Sequence, residues 1–276
     1  MSPRPRLSLD HLTVLDASPL EAIDLAVGEG IGHVSVIPAL PGLPALRVPD
    51  ILDDRDLHRC IAKACRDAGV TVHTLEGFVL TPETGLSEFD RLFAMAEAID
   101  ARSGVVVVSD PERTRAADLL GALCIRAARQ GMRLNIEYVP VTCAPTMDDA
   151  LALIDGAGAP ENAGLVIDIL HHVRSGGTMA DIRQIDPARI GAAQICDGAL
   201  AFDEQLYLET EMLFERLLPG EGEFPLREFL ASLPGDVVVG IEAPMASRKV
   251  AGVSARERAA MAVAAARDVA GAIGPA

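Results

Sequence analysis

Short apolar, β-branched runs alternate with amphipathic segments along the whole chain, and this alternation constrains the fold more than any other feature. Strand-like runs fall at residues 7–14, 33–38, 70–80, 104–109, 133–140, 163–170, 190–196 and 237–243. Several are apolar on both faces, as in Val105-Val106-Val107-Val108, the pattern of a parallel strand covered on both sides. Between them the spacing predicts helices at 19–29, 55–68, 87–99, 111–130, 146–156, 179–185, 226–233 and 254–273. The first has Ser18 placed to accept from free backbone N–H groups, Pro19 at the first helical position and Gly30 as a stop. The fourth follows Asp110, carries Ala116, Leu119, Leu120, Leu123 and Ala127 as one apolar stripe, and ends at Gly131.

Eight strands and eight helices in strict alternation predict a right-handed β-α crossover repeated until the sheet closes on itself. The expected architecture is α/β, a single (β/α)8 TIM barrel over residues 1–276, with its active site at the C-terminal ends of the strands. An open doubly wound sheet is the alternative, but its phosphate-binding turn should follow the first strand. The Gly28-Glu29-Gly30-Ile31-Gly32 run instead ends a helix and reads as a turn. Two long segments, a Pro-rich one at 39–54 and another at 198–223, follow strands and so belong on the active-site face.

Charge narrows the function. Forty Asp+Glu against 24 Lys+Arg give a net charge of −16, which repels phosphate backbones and anionic lipid surfaces. Seven Phe, two Tyr and no Trp leave little for base stacking. The first eight residues carry charge with no apolar run behind them, so no secretory signal is expected, and no stretch suits a membrane-spanning helix. Five cysteines without a C-x-x-C pair read as free, buried thiols. The expected compartment is cytoplasmic and the expected partner a small-molecule substrate, with neither nucleic acid nor membrane.

In a barrel the C-terminal strand ends converge on one mouth, and a charge buried there is costly unless paired or metal-bound. Glu137 interrupts the fifth strand, Asp168 the sixth, Gln194 the seventh and Glu242 the eighth. Each alone could be a strand-end polar group bonded to a nearby loop. Together they place three carboxylates and an amide around one mouth, and a divalent cation is the simplest remedy for their repulsion. An all-oxygen set favours the hard ions Mn²⁺ or Mg²⁺ over Zn²⁺.

The chain resembles, over nearly its whole length and most specifically in its second half, the xylose-isomerase-like barrel superfamily, the sugar phosphate isomerases and epimerases. The resemblance rests on Glu137, Asp168-Ile169-Leu170-His171, Gln194-Ile195-Cys196-Asp197, Glu242 and the Arg216-Leu-Leu-Pro-Gly-Glu-Gly-Glu223 stretch. It implies metal ligation by Glu137, Asp168, Gln194 and Glu242, and an acid/base pair in Glu137 and Glu242. It also implies substrate contacts from His171 and Arg216, with Asp197 part of the same strand-seven motif and counted with them. Ketose epimerases of the family usually have His where this chain has Gln194; the Glu/Asp/Gln/Glu set is more like that of the 3-dehydroshikimate dehydratases. Family barrels often pair, so a homodimer is expected to be possible.

Other residues carry open readings. Glu76, late in the third strand, is either a substrate contact or a support for another ligand. His11 and His73 either line the mouth or sit satisfied in the interior. His172, on an extended segment pointing away from His171, reads as structural, and Arg174 as a solvated loop residue rather than an anion ligand.

The leading expectation is a metal-dependent isomerase or epimerase acting on a small hydroxy-carbonyl compound through an enediolate-type intermediate. Expulsion of a β-hydroxyl from the same carbanion gives the dehydratase alternative, a lyase. A non-catalytic sugar-binding protein or complex subunit is the alternative from another class. An abasic-site endonuclease shares the superfamily's barrel but needs a histidine-rich zinc cluster and a basic face, which six histidines and the acidic charge argue against.

Overall fold

A computed structural model of the chain describes residues 6–40, 46–202 and 208–271. Its strands are β1 (Arg6–Leu9), β2 (His33–Val36), β3 (Thr71–Leu80), β4 (Ser103–Val108), β5 (Arg133–Glu137), β6 (Ala163–Asp168), β7 (Ile190–Ile195) and β8 (Val238–Ile241). All pair in parallel and in sequence order, and β8 pairs back onto β1 to close the barrel. The fold is the expected (β/α)8 TIM barrel.

The helices are α1 (Pro19–Gly28), α2 (Arg55–Ala68), α3 (Asp90–Ile99), α4 (Arg113–Ala128), α5 (Met147–Gly156), α6 (Ile169–Arg174), α7 (Met179–Gln184), α8 (Leu208–Leu213), α9 (Leu226–Ser232), α10 (Ala246–Val250) and α11 (Ala255–Gly271). Local chemistry sets their ends. Ser18 and Glu21 form a reciprocal capping box at α1, and α2 stops at Gly69, whose φ of +67° suits glycine. Helix α4 starts later than the sequence suggests. Asp110 is drawn to Arg115 (Nε to Oδ2, 2.7 Å), so Glu112 caps the helix instead, accepting from the Thr114 and Arg115 N–H groups.

Apolar residues form two layers. The larger lies between the outer face of the barrel and the helices, with Phe78, Phe93, Phe229 and Leu120 fully buried. A smaller plug of Val105, Val166 and Ala192, with Val107 packed on it, is a separate apolar cluster built from β4, β6 and β7.

Several strands end before their apolar runs do: β1, β2, β5, β6, β7 and β8 stop one to five residues short of the expected ends. The 7–14 run leaves β1 at Leu9 and makes one 3-10 turn, His11–Val14. The Thr13 hydroxyl donates to the Ile241 carbonyl (2.7 Å), and the His11 ring joins Ala17 O to Ile37 N–H, so this segment folds over the strand ends. The 163–170 run ends at Asp168 because its carboxylate accepts from the Leu170 and His171 N–H groups and opens α6. The helix expected at 87–99 begins as a 3-10 turn, Leu86–Phe89. Strict alternation is relaxed by the short helices α6, α8 and α10 in the segments after β6, β7 and β8.

The expected segments 39–54 and 198–223 and the helix at 254–273 each include residues outside the described ones, as does the chain start. All five cysteines are free; Cys65, Cys124 and Cys196 are buried, Cys143 is half-buried, and Cys60 is exposed, against expectation. No helix among the described residues is long and apolar enough to cross a membrane.

Candidate active site

The barrel brings the four strand-end residues together. Glu137 ends β5, Asp168 ends β6, Gln194 lies one residue before the end of β7, and Glu242 follows β8. Asp168 pairs in register with Gln194, and Gln194 with Gly240. The Gln194 amide Nε2 donates to Glu242 Oε1 (2.9 Å), while Asp168 Oδ2 and Glu242 Oε2 share the Arg216 guanidinium at 2.6 and 3.2 Å. On the other side of Asp168, His171 Nε2 lies 3.9 Å from both Glu137 Oε1 and Asp168 Oδ2. Capping explains the Asp-x-x-His spacing. Because Asp168 starts a helix, the residue three positions on returns to its side.

Asp10, just beyond β1, belongs to the same cluster and was not singled out from the sequence. Its signal in the sequence is an acid closing the short alternation Leu7-Ser8-Leu9, fainter than the acids that interrupt the longer apolar runs of β5, β6 and β8. Its Oδ1 accepts from Ser8 Oγ (2.8 Å) and its Oδ2 from Gln194 Nε2 (3.4 Å). Glu76 lies in a bulge of β3, where the register against β4 shifts between Leu75 and Phe78 and Gly77 takes φ +107°. It is half-buried, near enough to Glu137 and Asp10 to feel their charges, and its buried Oε1 has no partner.

Five carboxylates therefore share one mouth with the Arg216 guanidinium. Burial, reinforced by Asp168 and Asp10 against Arg216, pushes Glu137 up to about 8. Burial likewise raises Asp10 to about 6, against the hydrogen bonds from Ser8 and Gln194. Glu76 and Glu242 are pushed well above the usual carboxylate range, first by burial and also by their acidic neighbours. Asp168 goes the other way: burial opposes its charge, but Arg216, His171 and the Leu170 N–H together hold it below its ordinary value. Burial drives His171 down to about 4, so it is neutral at physiological pH. Such a mouth is short of positive charge.

The structure gives several of the expected site residues protein partners. Arg216 is only 2 % exposed, and its donors already serve Asp168, Glu242 Oε2, the Glu242 carbonyl and the Met212 carbonyl. It is an internal counter-ion in this arrangement, with Nε and Nη1 committed to protein acceptors and Nη2 facing Glu242 Oε2 alone. Asp197 is likewise taken up by backbone: Oδ1 accepts from Gly198 and Phe224, and Oδ2 from Gly220. It therefore shapes the Pro-Gly-Glu-Gly loop that delivers Arg216. Arg174 is not a solvated loop residue; it pairs with Glu211 at 2.6 and 2.8 Å and lies over the Phe202 and Phe224 rings.

The other histidines resolve individually. His11 is satisfied in the interior. His73 packs edge-on against His33, the first residue of β2, and so lies toward the N-terminal end of the barrel instead of the mouth. His172 sits on α6, not on extended chain. Its Nε2 donates to the Thr178 carbonyl (2.9 Å), which leaves Nδ1 to accept from the Tyr138 hydroxyl (2.8 Å). That buried bond ties the residue after Glu137 to the helix that carries His171.

The donor chemistry suits a divalent cation. One atom each from Glu137, Asp168 and His171 lie within 4.8 Å of one another, and Gln194 Oε1 is a buried amide oxygen without a partner. Glu137, with its side chain 12 % exposed, is the most accessible of the acids in these contacts.

No curated protein matches the chain in sequence. Among solved structures, the IolI protein with a binding zinc atom is 20 % identical over 98 % of this chain and 100 % of that one, with a TM-score of 0.79. The probable 3-DHS dehydratase AsbF from Bacillus anthracis is 13 % identical over 95 % of this chain and 97 % of its own, at 0.75. A D-psicose 3-epimerase in the presence of D-fructose is 16 % identical over 96 % and 99 %, at 0.71. At these identities the likeness is one of fold. A family model describing the xylose isomerase-like TIM barrel matches residues 23–267, and the chain belongs to that family.

Proposed function

We propose that the chain is a divalent-metal-dependent isomerase or epimerase acting on a small, sugar-like hydroxy-carbonyl compound. The observation that carries this reading is the convergence of Asp10, Glu76, Glu137, Asp168 and Glu242 on one mouth with the Arg216 guanidinium. Glu137, Asp168, Gln194 and Glu242 would hold the ion, and their oxygen-rich set suits Mn²⁺ or Mg²⁺. Once bound, such an ion supplies Lewis-acid polarisation of neighbouring substrate oxygens. The proton work falls to the chain. Glu137, the most accessible of the acids around Asp168, is placed in its ionised form to take the proton beside the substrate carbonyl. Glu242, on the far side of Asp168, is the partner that returns it. Neutral His171, beside Glu137, is free to hydrogen-bond a substrate oxygen through its ring N–H.

A second reading, dehydration of the 3-dehydroshikimate type, is favoured by Gln194, the amide that replaces the imidazole usual in ketose epimerases. The likeness to the AsbF structure is compatible with it. One experiment separates the two. Purified protein is assayed for bound metal, then incubated in D₂O with keto-sugars, inositol derivatives and 3-dehydroshikimate. An isomerase incorporates deuterium next to the carbonyl, whereas a dehydratase forms an ultraviolet-absorbing product. Protein that binds no divalent ion, or turns over none of these with metal supplied, refutes the proposal.

A further inference from the structure

We infer that Asp10 is a positioning residue that makes the Gln194 side chain an oxygen ligand; this rests on the metal reading above. The two ends of a glutamine amide are nearly the same size and shape but opposite in chemistry, one accepting and one donating two hydrogens. Only its partners decide which end faces an ion. Here both hydrogens are spoken for, one directed at Glu242 Oε1 (2.9 Å) and the other at Asp10 Oδ2 (3.4 Å). Carboxylate oxygens impose this orientation because they accept. The amide oxygen is left buried and without a partner, on a residue only 4 % exposed. A neutral acceptor held in this way costs free energy unless something electropositive meets it.

Asp10 is itself built in. Ser8 Oγ donates to its second oxygen at 2.8 Å, and the strand opposite carries Gly240, where a Cβ would collide with the Asp10 carboxylate. Residues of β1, β7 and β8 thus cooperate to set one amide. The arrangement is the glutamine counterpart of a carboxylate that orients a metal-binding imidazole from behind. A competing use for the amide oxygen exists. A cavity of about 10 Å³, room for about one water, lies beneath and is lined by Ser8, Asp10, Gln194 and Gly240. If the oxygen served that cavity, Asp10 would have no bearing on the ion.

The test is Mn²⁺ binding to chelator-stripped protein, read by calorimetry and by the Mn²⁺ paramagnetic resonance spectrum, with circular dichroism to verify folding. Asp10→Ala and Gly240→Ala should each weaken Mn²⁺ about 10- to 100-fold, the usual effect of losing a residue behind a ligand. Asp10→Asn, which keeps an oxygen acceptor in place, should retain most of the affinity. In a Gln194→Ala background, Asp10→Ala should add nothing, a coupling that a merely structural role would not produce. Should Asp10→Ala fail to fold, Ser8→Ala and Gly240→Ala carry the same comparison. Wild-type affinity in Asp10→Ala, or an equal loss with and without Gln194, overturns the inference while leaving the metal reading intact. Wild-type protein that takes up no Mn²⁺ overturns both.

Discussion

Replacing Arg216 with Met removes the cation shared by Asp168 and Glu242 while keeping a side chain of similar length. Both acids lie in its immediate contact, at 2.6 and 3.2 Å, with side chains 0 and 7 % exposed, so solvent cannot substitute for the guanidinium. Breaking a buried ion pair by deleting one partner costs about 3–5 kcal/mol, because the remaining charge stays uncompensated. The Met212 and Glu242 carbonyls lose their donor as well. For a chain of this size, with about 2–4 °C per kcal/mol, the expected fall in Tm is about 6–20 °C. The assay is calorimetry of chelator-treated protein, so that a bound ion cannot mask the missing charge. With a substrate in hand, Arg216→Lys should lower kcat more than it raises KM. A lysine keeps the charge but cannot reach these separate acceptors from one nitrogen. A Tm fall below about 2 °C would show that Arg216 is not the counter-ion of this cluster. A loss confined to KM would return Arg216 to direct substrate binding.

Glu137→Gln should lower turnover by about 10² or more while leaving Mn²⁺ content close to wild type, since the amide still offers an oxygen; undiminished turnover would remove Glu137 from proton transfer. Asp110→Asn should lower Tm at neutral pH, because the Arg115 hydrogen bonds hold the Asp110 carboxyl below its ordinary value in the folded chain. That contribution is present above the unfolded value of about 3.9 and is lost as pH falls through the lower folded one, so the Tm deficit should shrink progressively as the pH is taken below about 3.9. A deficit independent of pH would refute the pairing. Tyr138→Phe leaves the buried His172 Nδ1 without its donor and should cost about 1–3 kcal/mol in urea unfolding. An unchanged midpoint would mean that the hydroxyl bond contributes nothing.

The barrel and the location of its mouth were legible because both depend on local pattern. Apolar runs such as Val105 to Val108 can be satisfied only when covered on both faces, and each is followed by an amphipathic helix long enough to return the chain. An acid late in an apolar strand, as at Glu137 or Asp168, marks a strand end wherever that strand lies in the sheet. The apolar runs outlast most of the strands for the same reason: periodicity registers apolar character, whereas Asp168, for one, ends its strand with a side-chain cap on two N–H groups.

What each polar residue does was decided only when the barrel closed. Arg216 meets Asp168 across 48 positions and Asp10 meets Gln194 across 184, so neither contact has a local signature. Asp197 is indistinguishable from a substrate ligand by its spacing, yet the fold wraps the loop's own N–H groups around it. Arg174 has the composition of a solvated residue until α8 brings Glu211 against it. Spacing along the chain thus determined which residues reach the mouth. Pairings among them follow from strand stagger and barrel closure, which set the distances over which charges and hydrogen bonds compete.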